Sequence, residues 1–159
     1  MALGFAQIAH IAAAVFAIIE LGLTAYLASW YNSLFGFGGD SPSQVNFMIF
    51  NSVWTLLVLA YVGITPLYLT SVFHRLAALT LNVITTIFWF AGAIALAVGV
   101  GAPHCGSDSR CGSAQAAVAF GFFLWAIFMF LTVLDALEAL RRRGHHTDTS
   151  KSTNAYPGA

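Results

Sequence analysis

The sequence predicts an all-α integral membrane protein, a four-helix transmembrane bundle with cytosolic N- and C-termini. Three observations predict it. Of 159 residues, 59% are hydrophobic and only 8% charged, whereas a soluble domain carries roughly 25% charged residues. Such a chain cannot cover a water-facing surface, so its solvent is largely lipid. Next, the apolar residues fall into four runs, each long enough for the ~20 residues that cross a bilayer core as a helix. Finally, the chain has six basic residues, and four spans put Arg75, Arg141, Arg142, Arg143 and Lys151 on one side and Arg110 alone on the other. The basic side is the cytosolic one. Zero net charge and scattered basic residues leave no phosphate-binding face, so no nucleic-acid partner is expected.

The first span is expected at about 5–30. No basic residue precedes it and it is too long for a signal peptide, so it reads as a retained helix. Ala9, Ala13 and Ala17 recur every fourth residue, a small-residue row that lets helices approach closely in lipid. The stretch 31–46 reads as a loop, because Gly36, Gly38, Gly39 and Pro42 break helices. Trp30 and Tyr31 suit the water–lipid boundary, and Phe35 and Phe37 are expected to dip into it. The second span, about 47–72, has polar points at Asn51 and Thr55, and Pro66 should loosen its last turns. A tight turn at Phe73, His74 and Arg75 returns the chain antiparallel.

The third span, about 76–100, carries Asn82, Thr85 and Thr86 in its first half. Its second half has two small-residue rows, Ala91, Ala95 and Gly99, and Ala93, Ala97 and Gly101. Both are expected to pack against other helices. A loop over 101–113 holds the only two cysteines, Cys105 and Cys111. Orientation places them outside, where a structural disulfide persists; a thiol oxidase would need a second cysteine pair as a relay. The fourth span, about 114–140, ends in Asp135, Glu138 and Arg141–Arg143. The membrane domain is thus 1–143, and 144–159, polar and poor in hydrophobic residues, is expected to be a disordered cytosolic tail. Neither outer loop holds an Asn-x-Ser/Thr site, so N-glycosylation is not expected.

Glu20 is the sharpest candidate for chemistry, since a carboxylate deep in a span is costly. It admits three readings: a proton- or cation-binding site, a protonated or hydrogen-bonded packing residue meeting Asn51, Asn82 or a tyrosine, or a snorkelling side chain. His10 lies about 15 Å from it along a helix, so the two do not touch, and it reads as an interfacial hydrogen-bonding residue. His74, His104, His145 and His146 are scattered over both sides and build no four-ligand metal site. Arg141, Arg142 and Arg143 suit contact with anionic inner-leaflet lipid, about 1 kcal/mol each, and equally suit a plain topology anchor. Phosphate on the nearby Thr147, Thr149, Ser150, Ser152 or Thr153 would oppose them. No phosphate-cradling loop, nucleophile elbow or HExxH motif is present, so no catalytic residue and no cofactor are expected.

The stretch FAGAIALAVGV, then a cysteine and RCGSAQAAVAFGFFLWAIF, resembles the third and fourth spans of the fungal MARVEL-like membrane proteins. These are the four-span proteins of the non-classical export and eisosome-associated group. The likeness covers Phe90 to Phe128; its most characteristic part is Arg110–Cys111 followed by Gln115–Phe120. Over the first two spans it is one of layout, with Asn46 and Asn51, and the tail shows none. The resemblance implies a MARVEL-type fold and a plasma-membrane protein that gathers sterol- and sphingolipid-rich domains and helps organise membrane furrows. It implies no catalytic activity. Cys105 and Cys111 are the one feature carried over by position.

The expectation is therefore a non-enzymatic membrane organiser that binds sterol, sphingolipid and anionic inner-leaflet lipid and forms a homo-oligomer. The alternative is a small proton-coupled transporter using Glu20, similar to the small multidrug exporters, although their loops are shorter and lack paired cysteines. An adhesion protein like the claudins or tetraspanins is a third reading, opposed by the small outer loops.

Overall fold

The computed structural model describes residues 2–35, 41–68, 72–101 and 105–152, with side chains over 4–33, 41–63, 76–101 and 105–141. Those residues form four helices: α1 (Ala2–Phe35), α2 (Ser43–Tyr68), α3 (Val72–Val100) and α4 (Ser109–Ser152). All four are long and apolar enough to cross a membrane. They pack as a square in which α1 touches α2 and α4, and α3 touches α2 and α4.

The inward faces follow a heptad-like spacing. On α1 the buried residues are Ala13, Ala17, Glu20, Thr24 and Leu27; on α4 they are Ala117, Gly121, Leu124, Phe128 and Leu131. Alternating steps of three and four residues keep one seam facing the neighbours at shallow crossing angles. Large apolar side chains point outward on every helix, among them Ile11, Leu57, Val98 and Phe123, as a lipid solvent requires.

All four spans expected from sequence are present, with displaced limits. α1 runs on to Phe35 and α2 begins at Ser43, so the stretch 31–46 is mostly helix. Pro42 accepts from the backbone N–H groups of Val45 and Asn46, and the Ser41 hydroxyl donates to the Asn46 side chain, which starts α2 before the expected 47. Pro66 lies within α2, which ends at Tyr68. Phe73, His74 and Arg75 are not a turn but the opening of α3. Thr70–Ser71 just before it is a helix-start signal in the sequence, and the connection 69–71 lies outside the described residues. α4 begins at Ser109 rather than at 114. It also continues to Ser152, past the boundary at Gly144 where disorder was expected. The helix formers Ala136 to Arg143 lead into that stretch, and one glycine costs a helix only about 1 kcal/mol. Phe37, His104, the last residues 153–159 and the side chains of Phe35, Arg75, Arg142, Arg143, His145 and His146 lie outside the described residues.

Candidate functional site: a polar interior and a cysteine-closed cap

A polar band runs through the middle of the bundle. Glu20 and Thr24 on α1, Asn51, Ser52 and Thr55 on α2, and Asn82, Thr85 and Thr86 on α3 are all buried. In lipid, each polar group must find its partner inside the protein. Some do so on their own helix, as Thr24 donates to the Glu20 carbonyl and Ser52 to that of Met48. Others join helices. The Trp89 indole donates to the Thr55 hydroxyl at 2.9 Å, and Trp54 donates to the Thr85 hydroxyl at 3.1 Å. The Asn51 amide donates to the Phe88 carbonyl at 2.9 Å, Thr86 and Thr132 share a bond, and Asn82 donates to the Asp135 carboxylate at 2.8 Å. The band therefore ties α2 to α3 and α3 to α4.

Neither asparagine meets Glu20. Asn82 serves Asp135, so a second, half-buried carboxylate at the end of the fourth span joins the polar band. Glu20 does not snorkel: it is wholly buried, and neither of its carboxyl oxygens has a hydrogen-bond partner. The two mid-span tryptophans, Trp54 and Trp89, are not among the site residues expected from sequence. Their signal was legible, because a Trp far from the membrane boundary needs a partner for its N–H.

The small-residue rows divide. Ala93 is fully buried and Ala97 half-buried, as the second row requires, but Ala91 and Gly99 of the first row face outward and Ala95 is only half-buried. The face of α3 that turns inward is the one carrying Asn82, Thr86 and Trp89, which lipid would reject. Gly101 does not pack against a helix. It adopts a φ of 68° and its N–H bonds the Ala97 carbonyl, ending α3 in a left-handed turn that suits glycine. The closest approaches instead fall at Gly92 and Gly121, on either side of Met48.

Cys105 and Cys111 are disulfide-bonded. Cys111 lies within the first turn of α4, so the bridge ties the connecting loop directly to that helix. Asp108 caps the helix, accepting from the Arg110 N–H at 3.0 Å through its carboxylate and from the Gly112 N–H through its carbonyl. The Arg110 guanidinium pairs with Asp108 at 3.1 Å and lies 4.6 Å from the centre of the Trp30 ring, a cation–π contact. Trp30 in turn packs edge-on against Tyr31. The disulfide, Arg110 and Trp30 thus join the α3–α4 connection to the far end of α1.

Two predictions follow from this cap. Replacing both cysteines by serine is expected to cost about 2–2.5 kcal/mol, the chain-entropy value for so short a loop. It should also speed proteolysis near 105–111 without changing helix content. The Arg110 side chain holds the Asp108 carboxyl below the usual carboxylate range. Its contribution to the cap is therefore present at neutral pH and lost as pH falls through that lowered value. The protection of the Arg110 and Gly112 amides, their exchange rate relative to the intrinsic rate at each pH, should fall in acid and stay constant between pH 6 and 8.

These features define a class: a four-span membrane protein with an interior polar band and a disulfide-closed connection between its last two helices. Residues 4–134 match the MARVEL family model, described as a membrane-associating domain, and the chain belongs to that family. It is 31% identical over 152 residues to non-classical export protein 2 homolog 1 of Saccharomyces cerevisiae, covering 87% of this chain and 83% of the relative. It is 27% identical over 139 residues to non-classical export protein 2 of the same yeast, covering 79% of this chain and 76% of the relative. No solved structure matches it.

Proposed function

We propose that this protein is a non-enzymatic organiser of the plasma membrane. It associates with sterol- and sphingolipid-rich domains, self-assembles, and scaffolds microdomains of the eisosome kind. The observation that carries the reading is the inversion of the bundle: polar groups are spent inside it, and an apolar surface is turned outward. On α3, Ala91 and Gly99 face outward between Ile87, Ile94 and Val98, all exposed. A shallow row of this kind suits a flat sterol or a helix of a second copy. Membership of a membrane-associating family supports the same reading. With both termini in the cytosol, the exposed Arg141 and its neighbours Arg142 and Arg143 meet anionic inner-leaflet lipid. The two yeast relatives are named for non-classical export, and a scaffold of this kind serves such a route by assembling the membrane patch in which it operates.

The test is reconstitution into giant vesicles that separate into sterol- and sphingolipid-rich and fluid phases. The labelled protein should gather in or at the border of the ordered phase and cluster there. Uniform, unclustered distribution in the fluid phase would remove the basis for the proposal.

A further inference from the structure

Among the described residues, the interior leaves several acceptor oxygens without a donor. Five buried side-chain atoms among the described residues have no hydrogen-bond partner: both carboxyl oxygens of Glu20, Oδ1 of Asn51, Oδ1 of Asn82 and Nε2 of His10. The asparagine oxygens are assigned by their surroundings, because each Nδ2 faces an atom that only accepts, the Phe88 carbonyl or the Asp135 carboxylate. The proton on the histidine Nδ1 is assigned in the same way. Its Nδ1 lies 2.6 Å from the Ala6 carbonyl, an atom that only accepts, so Nδ1 carries a proton. The four oxygens therefore want a donor or a positive charge, in a region where an unmatched acceptor is costly.

The placement of the two titratable groups is specific. His10 and Glu20 lie on one seam of α1, together with Ala6, Ala13 and Ala17 in steps of three and four residues. Glu20 is about 15 Å along the helix from Trp30, and His10 about 15 Å further towards the chain termini. Between them on that face lie Ala13 and Ala17, both fully buried. Two helices pack against α1. Among the described residues α2 brings the titratable side chain of Tyr61, and α4 with its cap brings Asp108, Arg110, Asp135, Glu138 and Arg141. Asp108 and Arg110 pair with each other, Asp135 is held by Asn82, and no side chain donates to Glu20.

We infer that Glu20 is an exchangeable cation-binding site inside the bundle, taking a proton or an alkali cation that reaches it along the His10 end of the α1 seam. A cation of either kind supplies the positive partner that the protein itself withholds from the carboxyl group. The site is independent of the scaffold reading and stands or falls separately from it.

The chain contains two glutamates, Glu20 and Glu138, so carboxyl-labelled glutamate makes Glu20 visible in the unaltered full-length protein. Glu138→Gln leaves a single labelled site, and Glu20→Gln assigns the bands if it folds. Infrared spectra would be taken on the protein in liposomes across a pH series, with sodium, potassium or N-methylglucamine as the sole cation. A labelled carboxylic-acid band that shifts in heavy water and fades as pH rises assigns the proton. A labelled carboxylate band that moves when sodium or potassium replaces N-methylglucamine assigns the alkali cation. A band insensitive to pH, heavy water and cation would overturn the inference and make Glu20 a fixed packing residue. Replacing His10 by alanine should slow the exchange several-fold without moving the band; unchanged exchange would remove His10 from the path.

Discussion

Trp89→Ala is expected to destabilise the bundle more than any other single truncation, by about 3–5 kcal/mol if membrane interiors respond as soluble cores do. Trp89 is the largest fully buried side chain among the described residues, and it sits where α3 faces α2. Two losses are combined in the substitution, and they separate by comparison. Trp89→Phe keeps most of the volume and removes the donor to Thr55; Thr55→Val removes the acceptor. Interhelical hydrogen bonds in membranes are worth only about 0.6 kcal/mol on average, so each conservative change should cost far less than the alanine. Unfolding in mixed micelles measures all three. Equal costs for Trp89→Phe and Trp89→Ala would mean that the hydrogen bond, not packing, holds this crossing.

Gly92 gives the second large effect. A Cβ added there would lie 2.8 Å from Met48 Sδ, 3.1 Å from Asn51 Nδ2 and 3.3 Å from Phe47. A methionine can often move aside, but Met48 is fully buried. Its Cε also lies 3.1 Å from the place a Cβ at Gly121 would take. The side chain is therefore boxed between α3 and α4. Gly92→Ala should cost about 1–3 kcal/mol, the usual range for overpacking. Gly92→Leu should force α2 from α3, break the bond from Asn51 to Phe88 and abolish the native bundle. Gly22→Ala is the control, because nothing lies within 4 Å of its added Cβ. Thermal unfolding should place it at or slightly above the parent, with Gly92→Ala several degrees below. A parent-like Gly92→Ala would show that α2 and α3 are not in close contact there.

The four spans were legible because a lipid solvent leaves a coarse signal: long apolar runs broken by glycine, proline and polar residues. The pairing of Cys105 with Cys111 was legible from compartment and from the absence of any competitor. Helix limits were not, because caps act through local bonds. Asp108 starts α4 ahead of Cys111, and Ser41 with Asn46 starts α2 ahead of Phe47, although both signals stand in the sequence. The inward face of α3 was half legible. Two small-residue rows point to opposite faces, and size alone does not choose between them. Asn82, Thr86 and Trp89 do choose, since their polar atoms must turn from lipid, and they carry Ala93 inward and leave Ala91 outside. The partner of Asn82 was hidden because Asp135 looked like part of the charged end of α4. Which polar groups would remain unpartnered, Glu20 above all, depends on how four helices rotate against one another, and one sequence does not state that.

The central claim is that the outward apolar surface serves lipids and further copies of the chain. Native mass spectrometry of the full-length protein, extracted gently with its own lipids, tests it most directly. The account predicts a multimer that retains sterol or sphingolipid, and a smaller assembly when Ala91 and Gly99 are both replaced by leucine. A bare monomer released from every gentle detergent, with no lipid retained, would contradict it.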